Sequence, residues 1–335
     1  MKDHDLIWIR QTRSLPRAKS ITAGRCDRPW KVANIDSHGR VFLCLCDGWV
    51  PFAVGHVMDF DSFDEIFAST MAKKIQQSIL SGTYEYCDTR YCGVEIDHIV
   101  VKHDYYISVG IDDSCNLQCP SCRSEMRFSN DREFVRERSQ WADRINQWIS
   151  QVPEAKVKVL IGSNGDPFAS EVYRHFMQAK VSPRVKYDIR TNGLLLKKHL
   201  CSLPVINNLQ QLEISIDAAT AEVYHDVRRP GRWNTLIENL DYVRSLRALQ
   251  PFKVIAFFVI QRANLCDVLP FIDLCEHYDM TAGFTLLQDW GSWPNFSDQT
   301  VHDASHPQYQ QFVETVQHPK FVALNLNWAR SFQIS

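Results

Sequence analysis

Cys115-Asn116-Leu117-Gln118-Cys119-Pro120-Ser121-Cys122 sets three cysteines within eight residues, close enough to aim three thiolates at one group of soft metal ions. Cysteine thiolates select zinc or iron–sulfur clusters, and a structural zinc site takes four nitrogen or sulfur ligands. The run supplies three, and no histidine follows Cys122 closely. Closing a zinc site therefore needs a distant fourth ligand, whereas a four-iron cluster held by thiolates can leave one iron open for a substrate.

Around this loop, apolar strand-like runs alternate with amphipathic stretches. Residues 105–111 form a strand whose end delivers the cysteine loop, and further strands are expected at 157–161, 185–189, 212–216, 254–260 and 284–287. Apolar residues recurring every three to four positions predict helices at 134–149, 170–180, 194–200, 234–246 and 268–277. Strand and helix in this rhythm build a parallel sheet with covering helices, so the fold class is expected to be α/β. In parallel barrels the loops at the C-terminal strand ends converge on one point. Those ends read Gly162-Ser163-Asn164-Gly165-Asp166-Pro167, Arg190-Thr191-Asn192-Gly193 and Ser215-Ile216-Asp217-Ala218-Ala219 after the second, third and fourth strands. Small residues let the backbone approach a ligand, and Asn192, Ser215 and Asp217 can offer it polar contacts. Each of these, taken singly, also fits a cap or a loop hydrogen bond. After the sixth strand, Trp290 and Trp293 stand in a polar segment, either as rigid contact area for a substrate or as a core pair at the rim. A helix over 309–316 and the apolar stretch 321–326 are expected to close the open side of the sheet.

Five more cysteines, Cys26, Cys44, Cys46, Cys87 and Cys92, lie ahead of the first of these strands. Alternation over 32–35, the polar turn 36–39 and apolar 41–43 predict a hairpin that lifts Cys44 toward Cys26. Phe63, Ile66, Phe67, Met71, Ile75 and Ile79 predict an amphipathic helix within 62–80, which leads the chain back so that Cys87 and Cys92 can join the first pair. Five thiols exceed the four that one cluster needs, and zinc accepts the same ligands.

The Cys-x3-Cys-x2-Cys spacing and the order of strand-end motifs behind it resemble the radical S-adenosylmethionine (radical SAM) superfamily. The resemblance implies a partial (βα)6 parallel barrel with a [4Fe-4S] cluster on Cys115, Cys119 and Cys122 and S-adenosylmethionine chelated to its open iron. An electron, from a reductant such as flavodoxin or ferredoxin, then cleaves the sulfonium, and the 5′-deoxyadenosyl radical abstracts a hydrogen atom from the substrate. It further implies that Gly165 and Asp166 receive the methionine amino group, Asp166 standing where Glu is more common. Asn192, Ser215 and Asp217 are implied as further cofactor contacts. Within Tyr224-His225-Asp226-Val227-Arg228-Arg229-Pro230-Gly231, Arg228 or else Arg229 is implied as the partner of the methionine carboxylate, which a planar guanidinium fork suits. Many family members carry an aromatic residue just before the third cysteine; here it is Ser121.

The pattern Cys26-x12-Gly39-x4-Cys44, followed by a helix and a late cysteine pair, resembles the SPASM-type auxiliary-cluster extension of the same enzymes. In most members that extension follows the barrel, and here it precedes it. A second iron–sulfur cluster, of the [4Fe-4S] type, is thereby implied on Cys26, Cys44, Cys87 and Cys92. Cys44 holds the Gly-x4-Cys place, and Cys46 is the competing ligand. The expected organisation is an arm over 1–25, a small cysteine-rich α+β module over 26–100 and the barrel with its closing segment over 101–335.

A net charge of −2 argues against nucleic acid as a partner, because non-specific binding needs a cationic excess. The apolar run 6–9 is too short for a signal peptide, and no stretch nears the ~20 apolar residues of a membrane span. A cytoplasmic protein without a membrane partner is expected. In a reducing compartment, eleven cysteines serve as metal ligands or reactive thiols more readily than as disulfides. The expected reaction is oxidation or epimerisation of a small molecule such as a sugar or alcohol, with modification of a peptide or protein side chain as the alternative. The rival from another class is a zinc-stabilised binding protein without enzymatic activity. Of the cysteines outside both groups, Cys201 and Cys275 read as core thiols. Cys266, just beyond the fifth strand, and Cys46, if spare, are candidate hydrogen donors for an epimerisation.

Overall fold

The computed structural model describes residues 24, 26–45, 50–88, 99–128 and 131–324, which divide into two compact units. The first gathers the described residues up to 112 together with 131–164 and 171–187. Its strands are β1 (Val32–Ile35), β2 (Arg40–Phe42), β3 (Gly55–His56), β4 (Tyr105–Val109) and β5 (Val157–Ile161). β1 and β2 form the expected hairpin, Asn34 opposite Phe42, with Asp36 accepting from the Arg40 N–H at 2.9 Å across the turn. The hairpin does not stand alone, because β1 also pairs in parallel with β4, Val32 opposite Tyr106, and β4 with β5, Tyr105 opposite Val157.

The helix expected over 62–80 is two helices, α1 (Phe63–Ala68) and α2 (Thr70–Leu80). Ser69 breaks it: its backbone is extended and its hydroxyl accepts from the Ala72 N–H at 3.3 Å, so it serves as the N-cap of the second helix. The two helices still follow one apolar stripe, with Phe63, Ile66, Ile75 and Ile79 buried. α3 (Arg132–Ser150) starts at Asp131, whose carboxylate accepts from the Glu133 and Phe134 N–H groups, and buries Trp141, Ile145 and Trp148. α4 (Glu171–Phe176) is shorter than the expected 170–180, since the Gln178 N–H already turns back to His175.

The second unit holds the described residues of 113–129, then 165–170 and 188 onward. β6 (Val185–Thr191) enters it at Asp188. Its remaining strands are β7 (Leu209–Ser215), β8 (Lys253–Ile260) and β9 (Thr281–Leu286). β7, β8 and β9 are parallel, Gln211 opposite Lys253 and Ile255 opposite Thr281. Between and after them come α5 (Leu196–His199), α6 (Ala221–Val227), α7 (Trp233–Leu249), α8 (Val268–His277), α9 (Tyr309–Gln317) and α10 (Pro319–Val322). β9 starts three residues earlier than the sequence suggests. Gly283 masks the strand pattern there: a Cβ on it would meet the Phe257 ring at 3.1 Å, so the neighbouring strand's aromatic fills the space a side chain would take.

β8 states which face is covered. Val254, Ala256, Phe258 and Ile260 are buried, and Phe258 packs on Phe271 of α8 and Phe284 of β9 with ring centroids 4.9 and 5.5 Å apart. Phe321 of the C-terminal segment joins the same cluster at 4.9 Å from Phe284, so that segment adds to the helix side of β9. Ile255, Phe257 and Val259 point the other way and are half-buried. Among the described residues no helix is long and apolar enough to cross a membrane.

Candidate functional site

The cysteine loop lies in the second unit and is folded by its own backbone. The Cys115 N–H donates to the Arg127 carbonyl at 2.7 Å, the Gln118 N–H to that of Arg229 at 2.7 Å, and the Cys122 and Arg123 N–H groups both to that of Cys119. Cys115 and Cys119 are thereby buried at 9% and 5% exposure, while Cys122 is exposed. Burial pushes the Cys115 thiol up to about 12, and the Asp166 carboxylate adds to the shift. Two guanidinium groups meet the sulfurs. Arg228 Nη1 donates to Cys119 Sγ at 3.6 Å, and the Arg123 guanidinium, which donates to the Asp113 carbonyl at 2.7 Å, is close enough to Cys122 to interact with its sulfur.

The strand ends bring most of the expected residues to this loop. Gly165 takes φ +66°, a left-handed turn that favours glycine, and delivers Asp166, whose N–H donates to the Ser114 carbonyl at 2.8 Å. The buried Asp166 carboxylate accepts four hydrogen bonds: Thr191 Oγ1 at 2.7 Å, the Asn192 N–H at 2.7 Å, and the Phe168 and Ala169 N–H groups at 3.0 and 3.3 Å. It thus clasps the end of β6 against the cysteine loop. Asn192 Nδ2 donates to Asn116 Oδ1 at 2.8 Å and lies 3.9 Å from Cys115 Sγ.

At the end of β7, the Ile216 and Asp217 N–H groups converge on the Phe257 carbonyl, and Asp217 adopts φ +60°. Its carboxylate is paired with Arg228, Nη2 to Oδ2 at 2.6 Å, and also accepts from the Val259 N–H at 2.8 Å. Burial works against the Arg228 cation, but Asp217 and Cys119 more than offset it and its pKa is raised. Arg228 Nε is buried without a hydrogen-bond partner. Arg229 is exposed and offers the loop its carbonyl.

Ser215 is half-buried on the face of β7 that also carries the buried Glu213. There Arg190 holds Glu213 through Nε and Nη2, both at 2.8 Å. Gln211 donates to the same carboxylate at 2.8 Å, and the Arg190 guanidinium lies 5.7 Å from the Phe257 ring centroid.

In the first unit, Cys26, Cys44 and Cys87 line a pocket with Arg28, Tyr84 and Asp88, and Arg28 Nη1 donates to Cys44 Sγ at 3.6 Å. Cys46 and Cys92 lie outside the described residues, as does the arm up to residue 23. Cys266 is exposed in the turn Arg262–Asp267 that follows β8. Cys275 is buried as expected, at 1% exposure. Cys201 is not a core thiol: it is exposed, 2.6 Å from the Tyr242 hydroxyl, because α5 gives way to a short 3-10 turn at Leu200–Ser202.

Asn116, Arg123, Thr191 and the Arg190–Glu213 pair were not singled out from sequence. Only Arg123, directly behind Cys122, carried a local signal.

Two family models match the chain. The radical SAM superfamily model matches residues 111–275, and the SPASM model, an iron-sulfur cluster-binding domain, matches residues 26–93. The chain belongs to the radical SAM superfamily, with a SPASM domain ahead of the radical SAM domain. GTP 3′,8-cyclase of Staphylococcus epidermidis is 25% identical over 194 residues, covering 56% of this chain and 55% of that protein. The AdoMet-dependent heme synthase of Methanosarcina barkeri is 24% identical over 169 residues, 50% of this chain and 46% of its own. The chain thus spans about half the length of the curated relatives it matches. Among solved structures, Streptococcus suis SuiB bound to precursor peptide SuiA aligns with a TM-score of 0.36 at 15% identity, over 55% of this chain and 39% of that one.

The protein is therefore a radical SAM enzyme of α/β fold, and its cofactors are S-adenosylmethionine, a [4Fe-4S] cluster and a further iron–sulfur cluster. The donor set fits: soft thiolates suit iron–sulfur clusters, each cysteine group has a guanidinium on a sulfur, and the orphaned Arg228 Nε can take an acceptor from a bound ligand.

Proposed function

We propose that the enzyme takes a hydrogen atom from a hydroxyl-bearing small molecule, such as a sugar or alcohol, and oxidises or epimerises it. The observation that supports this best is the half-buried strand face of the second unit, where Ser215 lies opposite Phe257 on the neighbouring strand and the Arg190 guanidinium, paired with Glu213, lies 5.7 Å from the Phe257 ring centroid. Such a face offers donors, acceptors and one aromatic surface to a compact polar substrate. Ligand sites fix orientation through a few polar groups set among apolar ones.

When bound, the cluster on Cys115, Cys119 and Cys122 supplies the electron that splits S-adenosylmethionine into methionine and a 5′-deoxyadenosyl radical. The residues around it orient and shield. Asp166 fixes the β6 end, so that Asn192 stays beside Cys115, and Gly165 keeps the backbone open for the methionine amino group. Arg228 stays charged and offers its free Nε to the methionine carboxylate, and Ser215 and Asn192 serve as polar contacts to the cofactor. The second cluster is held by Cys26, Cys44, Cys87 and Cys92, with Cys46 as the competing ligand. Held there, it would supply an acceptor for the electron that an oxidation removes from the substrate radical. The functional parts are an arm to residue 25, the auxiliary-cluster module over 26–100 and the catalytic part from 101, in a cytoplasmic protein reduced by a flavodoxin or ferredoxin.

The test is anaerobic incubation of reduced, S-adenosylmethionine-supplied enzyme with sugars and alcohols, followed by mass spectrometry. Loss of two hydrogens, or solvent deuterium uptake without mass loss, is expected. A mass change confined to added peptides would replace this reading with side-chain modification.

A further inference from the structure

Among the described residues, Arg228 is the side chain that touches both a cluster-loop sulfur and a buried acid. Its Nη1 donates to Cys119 Sγ at 3.6 Å and its Nη2 meets Asp217 Oδ2 at 2.6 Å. The Asp217 side chain is 1% exposed and that of Arg228 11%, so water screens neither charge well. Asp217 is built into place. It keeps a left-handed backbone at φ +60°, its second oxygen accepts from the Val259 N–H, and its carbonyl accepts from Asn264 Nδ2 at 2.9 Å. Asn264, with no exposure, is held in turn by the Val259 carbonyl at 2.9 Å. A residue needed only to cap a loop would not call for a buried ion pair with its cation against a thiolate.

The potential of an iron–sulfur cluster follows its net charge, the hydrogen bonds to its sulfurs and its exposure to solvent. A lone guanidinium on Cys119 would stabilise the reduced, more negative cluster. It would thereby raise the potential and weaken the cluster as a reductant. We infer that Asp217 is a positioning and charge-compensating residue which, acting through Arg228, keeps the potential of the cluster on Cys119 low while Arg228 remains in contact with the sulfur. This rests on the reading that Cys119 is a cluster ligand.

The test is a potentiometric titration of the full-length, anaerobically reconstituted enzyme against dithionite with redox mediators, read by low-temperature electron paramagnetic resonance. The signal that disappears in Cys119→Ala belongs to this cluster; if no signal disappears, the ligand assignment is wrong and the inference falls with it. With the assignment intact, Asp217→Asn should move the midpoint upward, since asparagine tolerates the left-handed backbone and leaves the arginine uncompensated. Arg228→Gln should move it downward, and Arg228→Lys should recover part of that change. Should Arg228→Gln fail to fold with an unpaired buried acid, the double variant Asp217→Asn/Arg228→Gln should titrate below Asp217→Asn alone. Variants that hold the cluster but share the wild-type midpoint, or that move it in one common direction, would overturn the inference.

Discussion

Cys119 and Cys201 show how the surroundings of a thiol separate its roles. Cys119 is 5% exposed, carries Arg228 on its sulfur and lends its carbonyl to the turn that holds Cys122, whereas Cys201 is exposed against Tyr242. Replacing Cys119 by Ala should reduce 5′-deoxyadenosine formation to background and lower bound iron, and Cys201→Ala should change neither; colorimetric iron and chromatography read both. Thr191 supplies a second expectation at this scale. Its hydroxyl donates to the buried Asp166 at 2.7 Å and accepts from the Gly193 N–H at 3.1 Å. Thr191→Val leaves those partners short, which should cost about 1–3 kcal/mol in chemical denaturation and weaken S-adenosylmethionine binding. The cysteine loop was legible because its ligand spacing is local. The Arg228–Cys119 contact joins residues 109 positions apart, and nothing in either segment alone announces it.

Strands test the alternation that placed them. On β8, Phe258 is fully buried against α8 while the next residue back, Phe257, looks onto the polar face. Phe258→Ala should therefore cost about 3–5 kcal/mol of stability, as large-to-small changes in packed cores do. Phe257→Ala should cost about 1 kcal/mol or less and appear mainly as a raised KM for the substrate; urea midpoints and steady-state kinetics distinguish the two. The same periodicity explains which elements the sequence made visible. β5 and β8 follow apolar runs and lie where expected, but β7 begins at Leu209 because Gln210 and Gln211 hide strand residues behind polar side chains. The split between α1 and α2 was missed because Ser69 interrupts the backbone without interrupting the apolar stripe that α1 and α2 share.

At the scale of the whole molecule the question is what becomes of the substrate radical, and the two cysteine groups have separable parts in it. If, as proposed, Cys26 and Cys44 hold the second cluster and that cluster takes up the substrate radical's electron, Cys26→Ala or Cys44→Ala should leave uncoupled cleavage of S-adenosylmethionine while abolishing an oxidised product. Epimerisation needs no acceptor but does need a thiol to return a hydrogen atom from the opposite face. Cys266 suits that task chemically: it is exposed at the end of β8, and burial of its sulfur, with Asp267 beside it, lifts its pKa above the usual thiol value. The group therefore loses its hydrogen at a higher pH than an ordinary thiol does, so deuterium uptake that depends on it should fall off later as pH rises. Cys46 is the second candidate if Cys44 is the ligand in its group. Cys266→Ala and Cys46→Ala, each assayed with substrate in deuterated water, decide the outcome. A variant that still forms 5′-deoxyadenosine but no longer incorporates deuterium identifies an epimerase and its donor. If both variants behave as wild type and the product is two hydrogens lighter, the radical is oxidised through the second cluster and neither thiol is a hydrogen donor.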